Sequence, residues 1–228
     1  ARLFERALAI AEKAHGVNHP SLGSYLVNLG SAEKSLVIYD KALVHFLRAL
    51  EVRETGLGPD HPSVAAAAAS LANLYRAMKR PNDAEPLYRR ALAIWEASLG
   101  PESSQLTFAL NGLGLVLCES GRVDEAIPLF TRNLTISENV NGPDHNDVSV
   151  ALNSLGQCLA EHGRDKEALP HLERALANRL KTEPDVVLLS DSKFLVARSL
   201  WATGGDRTRA IELATAARTA VENAGPGL

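Results

Sequence analysis

The sequence predicts an all-α chain, a solenoid of antiparallel helix pairs with about five repeats after an N-terminal half repeat. Three observations predict it. Arg-Ala-Leu stands at 6–8, 48–50, 90–92 and 174–176, with Arg-Asn-Leu at 132–134, so one column recurs every 42 residues. Other columns keep that period: Leu29, Leu71, Leu113 and Leu155; Ala42, Ala84, Ala126, Ala168 and Ala210; Phe46, Tyr88, Phe130 and Leu172. Each unit also holds two segments with apolar residues three and four apart, and such units bury their apolar faces against their neighbours.

Residues 1–16 are amphipathic from the start and read as the second helix of a truncated repeat, cut from something longer. Full repeats are expected at approximately 19–58, 61–100, 103–142, 145–182 and 184–224. In the 61–100 unit, Val64, Ala68, Leu71, Ala72 and Tyr75 make one helical stripe, and Ala84, Leu87, Tyr88, Ala91, Leu92 and Trp95 make another. The turns between the helices include Glu119 to Arg122 and Glu161 to Arg164, where Gly121 and Gly163 can take the left-handed conformation that closes a helix. Pro86, Pro128 and Pro170 are expected in the first turn of the second helices, where a missing N–H removes no helical bond.

Between repeats stands Gly58-Pro59-Asp60-His61-Pro62, copied as Gly142 to His145 and altered to Glu102 and Ser103 after Gly100. The copying makes it punctuation rather than a catalytic acid beside an imidazole. Gly58 ends one helix, Asp60 is expected to cap the next, and Pro62 suits its first turn. The terminal repeat, with Gly204-Gly205 at its turn and polar Thr208, Arg209, Arg218 and Glu222, reads as a polar cap on the solenoid.

The first full repeat departs from its siblings. From Ser31 to Thr55 it has neither Gly nor Pro, Glu33 stands in the column of Tyr75, Leu117 and Leu159, and leucines fall every seven residues from Leu22 to Leu50. Two forms are open: a slightly distorted hairpin, or one continuous helix over residues 21–55 that exchanges with a second chain and makes a homodimer.

The chain has 24 basic and 27 acidic residues, a net charge of −3, without the clustered cations a phosphate backbone needs, so nucleic acid is not expected as a partner. No apolar run is long enough to span a membrane, and a cytoplasmic location is expected. Cys118 and Cys158 show no CxxC or Cys/His ligand spacing and are expected to be reduced, buried thiols. No phosphate loop, dinucleotide fingerprint, HExxH or nucleophile elbow is present, and the seven histidines are scattered, so no catalytic residue, metal or cofactor is expected. The glycosylation sequon Asn133-Leu134-Thr135 falls within a helix and is discounted.

These columns resemble tetratricopeptide repeats, and the 42-residue period with its Gly-Pro-Asp-His-Pro linkers is similar to the repeats of kinesin light chains and their bacterial relatives. The unit with Ala72, Tyr75, Ala84, Tyr88 and Ala91 fits the pattern of small and aromatic residues best, while Asn133 departs from it. The resemblance implies a right-handed superhelix whose first helices line a concave groove that binds extended peptides or helices. The groove positions it implies are Asn28, Ser31 and Lys34; Ala69, Asn73 and Arg76; Asn111, Leu115 and Glu119; Asn153, Gln157 and Glu161; and Arg198. Asparagine there suits a peptide backbone, because its amide both donates and accepts. The expected function is a non-catalytic interaction scaffold with a protein or peptide partner. The alternatives are the regulatory or substrate-recruiting region of a larger bacterial signalling protein such as a serine/threonine kinase, and a self-associating module.

Overall fold

A computed structural model of the chain describes residues 2–182 and 185–224. Among them are eleven helices and no strand: α1 (Arg2–His15), α2 (Leu22–Ser35), α3 (Tyr39–Leu57), α4 (Pro62–Ala77), α5 (Pro81–Leu99), α6 (Leu106–Glu119), α7 (Val123–Asn141), α8 (Asn146–Glu161), α9 (Asp165–Lys181), α10 (Val186–Ala202) and α11 (Arg207–Ala224). Two compact units divide between Val116 and Leu117. In the first, α2 pairs with α3 and α4 with α5; in the second, α8 pairs with α9 and α10 with α11.

The repeating columns are the cores of these pairs. Ala42, Ala84, Ala126 and Ala168 have no exposed surface, and Phe46, Tyr88, Phe130 and Leu172 are buried one turn further on. Small residues on the first helices make room for the large ones. A Cβ on Gly30 would lie 3.1 Å from the Phe46 ring, and one on Gly156 would lie 2.6 Å from Leu172. The arginine of the Arg-Ala-Leu column has a different task. Arg48 pairs with Glu12 at 2.6 Å, Arg90 with Glu54 and Arg174 with Glu138, in each case reaching the preceding second helix. Arg48 and Arg90 also donate to the linker carbonyls of Val17 and Pro59, at 2.8 and 3.1 Å. Such half-exposed pairs are each worth under about 1 kcal/mol. Their repetition sets the register of one repeat on the next.

The linker caps lie one residue later than expected. His61, not Asp60, is the N-cap of α4: its Nδ1 accepts from the Ser63 backbone N–H at 3.1 Å. His145 does the same for α8, accepting from Asp147 N–H at 3.2 Å; His19 accepts from Ser21 N–H at 3.2 Å in the turn before α2, whose N-cap is Ser21. In the altered linker Ser103 Oγ accepts from Gln105 N–H at 3.4 Å, the same local contact as the histidine makes, while α6 itself begins only at Leu106. The correction follows from geometry. A cap must immediately precede the first helical residue, here Pro62, and Asp60 stands one residue too early.

The second-helix prolines also require correction. Pro86, Pro128 and Pro170 are each the sixth residue of their helix, beyond the first turn, so each deprives a carbonyl of its helical donor. All three lie on the exposed side, where water reaches that carbonyl.

Residues 21–55 form a hairpin, not one continuous helix: α2 ends at Ser35 and α3 begins at Tyr39. The turn closes without glycine because Val37 itself takes the left-handed conformation, with φ 61°, in the column occupied by Lys79, Gly121 and Gly163. A β-branched residue is strained there. Val37→Gly is expected to raise the unfolding free energy by about 1 kcal/mol in urea denaturation, since relief of the strain outweighs the added freedom of the unfolded chain. The anomalous Glu33 is 3% exposed and accepts a 2.7 Å hydrogen bond from His45 Nδ1 of α3, a polar bridge where the sibling repeats pack an apolar side chain.

Cys118 and Cys158 form a disulfide, which corrects the expectation of reduced thiols. Their separation of 40 residues falls two short of a repeat. Two residues along a helix turn a side chain by about 200°, so the pair occupies facing sides of α6 and α8 rather than a single column. No helix among the described residues is long and apolar enough to cross a membrane.

Candidate functional site

The side chains expected on the binding face divide between the two units. In the first, α2 carries Asn28 and Lys34, α4 carries Asn73 and Arg76, and α6 carries Asn111. Asn28 is exposed, and the other four are half-buried. Ala69, expected on the same face, is fully buried in the core. The contact of α2 with α4 brings Lys34 close to Arg76. Burial, and secondarily the adjacent guanidinium, lower the pKa of the Lys34 ammonium. Two cations therefore share this end of the first-helix face, a place that favours an anionic group on a ligand.

Asn111 adds a second property. Its Oδ1 is buried and accepts no hydrogen bond. A buried acceptor left unpaired costs about 1–3 kcal/mol, which a ligand N–H would recover.

In the second unit, α8 carries Asn153 and Gln157, and α10 carries Arg198. Asn153 is drawn into the protein: at 9% exposure its Nδ2 donates to Ser192 Oγ on α10 at 2.9 Å, while its Oδ1 has no partner. Gln157, on the exposed side, donates to Glu161 at 2.7 Å. Arg198 is half-buried, with Nη2 unpartnered. Two residues that sequence reasoning missed complete the Asn153 arrangement. Ser192 is fully buried and also receives Nη1 of Arg179 at 2.6 Å; Arg179 itself is 3% exposed, and burial lowers its pKa. The column of Arg179 holds Arg53, Trp95 and Ser137; only Arg53 repeats the buried guanidinium, donating to the Ser63 carbonyl and Ser24 Oγ, so the column as a whole gave no consistent signal.

A family model described as "Tetratricopeptide repeat" matches residues 39–97 and 105–181, and a second with the same description matches residues 1–21. No curated protein matches the chain in sequence. Among solved structures, the chain is similar to BtubC (BKLC) from P. vanneervenii, with TM-score 0.81, 22% identity, and coverage of 100% of this chain and 90% of that one. It is also similar to the nearly identical TPR-like repeats of a Podosopora anserina putative kinesin light chain, with TM-score 0.74, 22% identity, and coverage of 92% and 99%. A Rap protein complexed with competence and sporulation factor matches with TM-score 0.73 at 15% identity, over 97% of this chain and 64% of that one. At these identities the structural likenesses establish the fold.

Proposed function

The chain belongs to the tetratricopeptide repeat family, and from that premise we propose that it is a non-catalytic scaffold that holds an extended peptide or helix of a partner protein along its first helices. The observation that carries the reading is Asn111 Oδ1, a buried acceptor that lacks a donor on the face where α2 and α4 also offer Asn28 and Asn73. Side-chain amides of this kind bind a main chain without reading its sequence. Lys34 beside Arg76 adds a preference for a carboxylate at that end of the peptide. In the second unit, taken by itself, Asn153, Gln157 and Arg198 on α8 and α10 are the corresponding proposed positions. The Rap structure named above is a complex with a factor, which accords with a fold that accepts a ligand.

Affinity capture from a lysate of the source cell tests the reading, with the wild-type chain compared against an Asn28→Ala, Asn73→Ala, Asn111→Ala variant that retains its helical spectrum. A protein held by the wild type and lost with the variant supports it. Equal capture by both removes the first-helix face as the binding surface.

A second reading, self-association, is favoured by one observation. Where sibling repeats carry Arg80, Arg122 and Arg164, the first repeat has Ile38; where they carry Pro86, Pro128 and Pro170 it has Val44; and where they carry Arg89, Thr131 and Glu173 it has Leu47. All three apolar side chains are exposed, Val44 at 63%. In an antiparallel pairing of α3 with a second copy, centred between Val44 and Leu47, each Val44 meets the other Leu47. Light scattering at high micromolar concentration is expected to give a dimer that Val44→Glu converts to monomer. A wild type that is monomeric throughout rejects this reading.

A further inference from the structure

Three side chains at the end of α6 and α8 stand outside the proposed binding face. Cys158 and His162 lie four residues apart, one helical turn, and Cys118 faces them from α6. One ring nitrogen of His162 and both sulfurs lie within 4.8 Å of one another. His162 Nδ1 is 3.8 Å from Cys118 Sγ and donates to the Cys158 carbonyl at 2.9 Å, a bond that holds the ring beside the sulfurs. The cysteines are 2% and 1% exposed, whereas His162 is exposed, so the cluster is closed on its sulfur side and open on its imidazole side.

From this geometry we propose that, when the disulfide is reduced, Cys118, Cys158 and His162 form a binding site for one thiophilic metal ion of the Zn2+ class. Tetrahedral Zn2+ with Zn–S near 2.3 Å and Zn–N near 2.0–2.1 Å sets S···N distances of about 3.5 Å and an S···S distance of about 3.8 Å. The observed sulfur–nitrogen distance of 3.8 Å is already close to the first. The Cα–Cα distance of 5.9 Å lets the sulfurs separate by side-chain rotation without moving either helix.

The chemistry balances with a dithiol reductant. Its two thiols become a disulfide as the Cys118–Cys158 bond accepts two electrons and two protons. The two cysteine thiols then release two protons as their thiolates bind the cation; the neutral His162 ring moves its proton from Nδ1 to the solvent-facing Nε2, giving up the bond to the Cys158 carbonyl, and Nδ1 supplies the third ligand. The fourth position faces solvent and takes water. Disulfide sulfurs are poor ligands, so the oxidised protein excludes the ion. Either state ties α6 to α8. Only the reduced, metal-free protein lacks the tie.

Cobalt substitution on the full chain tests this. Protein reduced with a non-chelating phosphine is expected to take up one Co2+ per chain, with a thiolate-to-cobalt charge-transfer band and the visible bands of tetrahedral cobalt, both discharged by Zn2+. His162→Ala, a change on the exposed side that leaves both buried cysteines in place, is expected to weaken uptake by about tenfold or more. Cys118→Ser is expected to abolish the charge-transfer band while the helical spectrum is retained. Reduced wild type without that band, uptake by the oxidised protein equal to the reduced, or His162→Ala binding as tightly as wild type would each overturn the proposal.

Discussion

Phe46→Ala is expected to lower the unfolding free energy by about 3–5 kcal/mol, enough to melt the first hairpin at room temperature. Phe46 is 1% exposed and packs with Ala42, Leu71 and Leu74, so its ring serves both its own hairpin and the next first helix. Gly30 faces the ring, and a Cβ there would lie 3.1 Å from it, so the ring fills the space that glycine leaves. The loss is therefore a transfer loss plus a cavity. Because each repeat contacts only its neighbours, protection from hydrogen exchange should fall in α2, α3 and α4 before it falls in the second unit. Phe108→Ala is the control. At 48% exposure its cost should be within about 0.5 kcal/mol of zero. A Phe46→Ala loss no larger than that of the control would contradict the packing described.

Gly112→Ala is expected to destabilise by about 2–3 kcal/mol, although alanine is the better helix former by roughly 1 kcal/mol. The reason is the ring of Tyr88. A Cβ at position 112 would lie 2.3 Å from its Cζ and 2.5 Å from its hydroxyl, closer than any non-bonded carbon can approach. Tyr88 is 1% exposed and has nowhere to move. Shortening the obstacle should relieve the clash: Gly112→Ala combined with Tyr88→Leu is expected to cost less than the sum of the two single changes by at least about 1 kcal/mol. Additive or worse losses in urea denaturation would place the helices further apart than this contact requires.

The architecture was legible because the period needs only self-comparison. Leu71, Ala84 and Tyr88 announce buried positions by recurring, and recurrence survives any uncertainty about which neighbour they touch. Details that depend on one residue of register were less legible. Asp60 is the stronger capping residue by type, but the backbone places His61 at the cap, and that is decided by where Pro62 begins the helix. The prolines were expected one turn too early for a similar reason. Partners arriving from another helix left no trace in the sequence. Ser192 and Arg179 draw Asn153 inward, His45 meets Glu33, and Cys118 finds Cys158 through an offset of two residues that no repeat column displays. A column says how deep a side chain sits along its own helix. It does not say what the next helix brings to meet it.

The central claim is that the first-helix face of α2, α4 and α6 binds an extended chain through side-chain amides. Its most direct measurement is a titration: peptides selected from a displayed library on the wild-type protein, measured by calorimetry against wild type and the Asn28→Ala, Asn73→Ala, Asn111→Ala variant. The account predicts selected peptides with scattered sequences and a recurring acidic residue near one end, bound at least tenfold more weakly by the variant. Peptides that bind the folded variant as tightly as wild type would contradict it and move the binding surface elsewhere on the molecule.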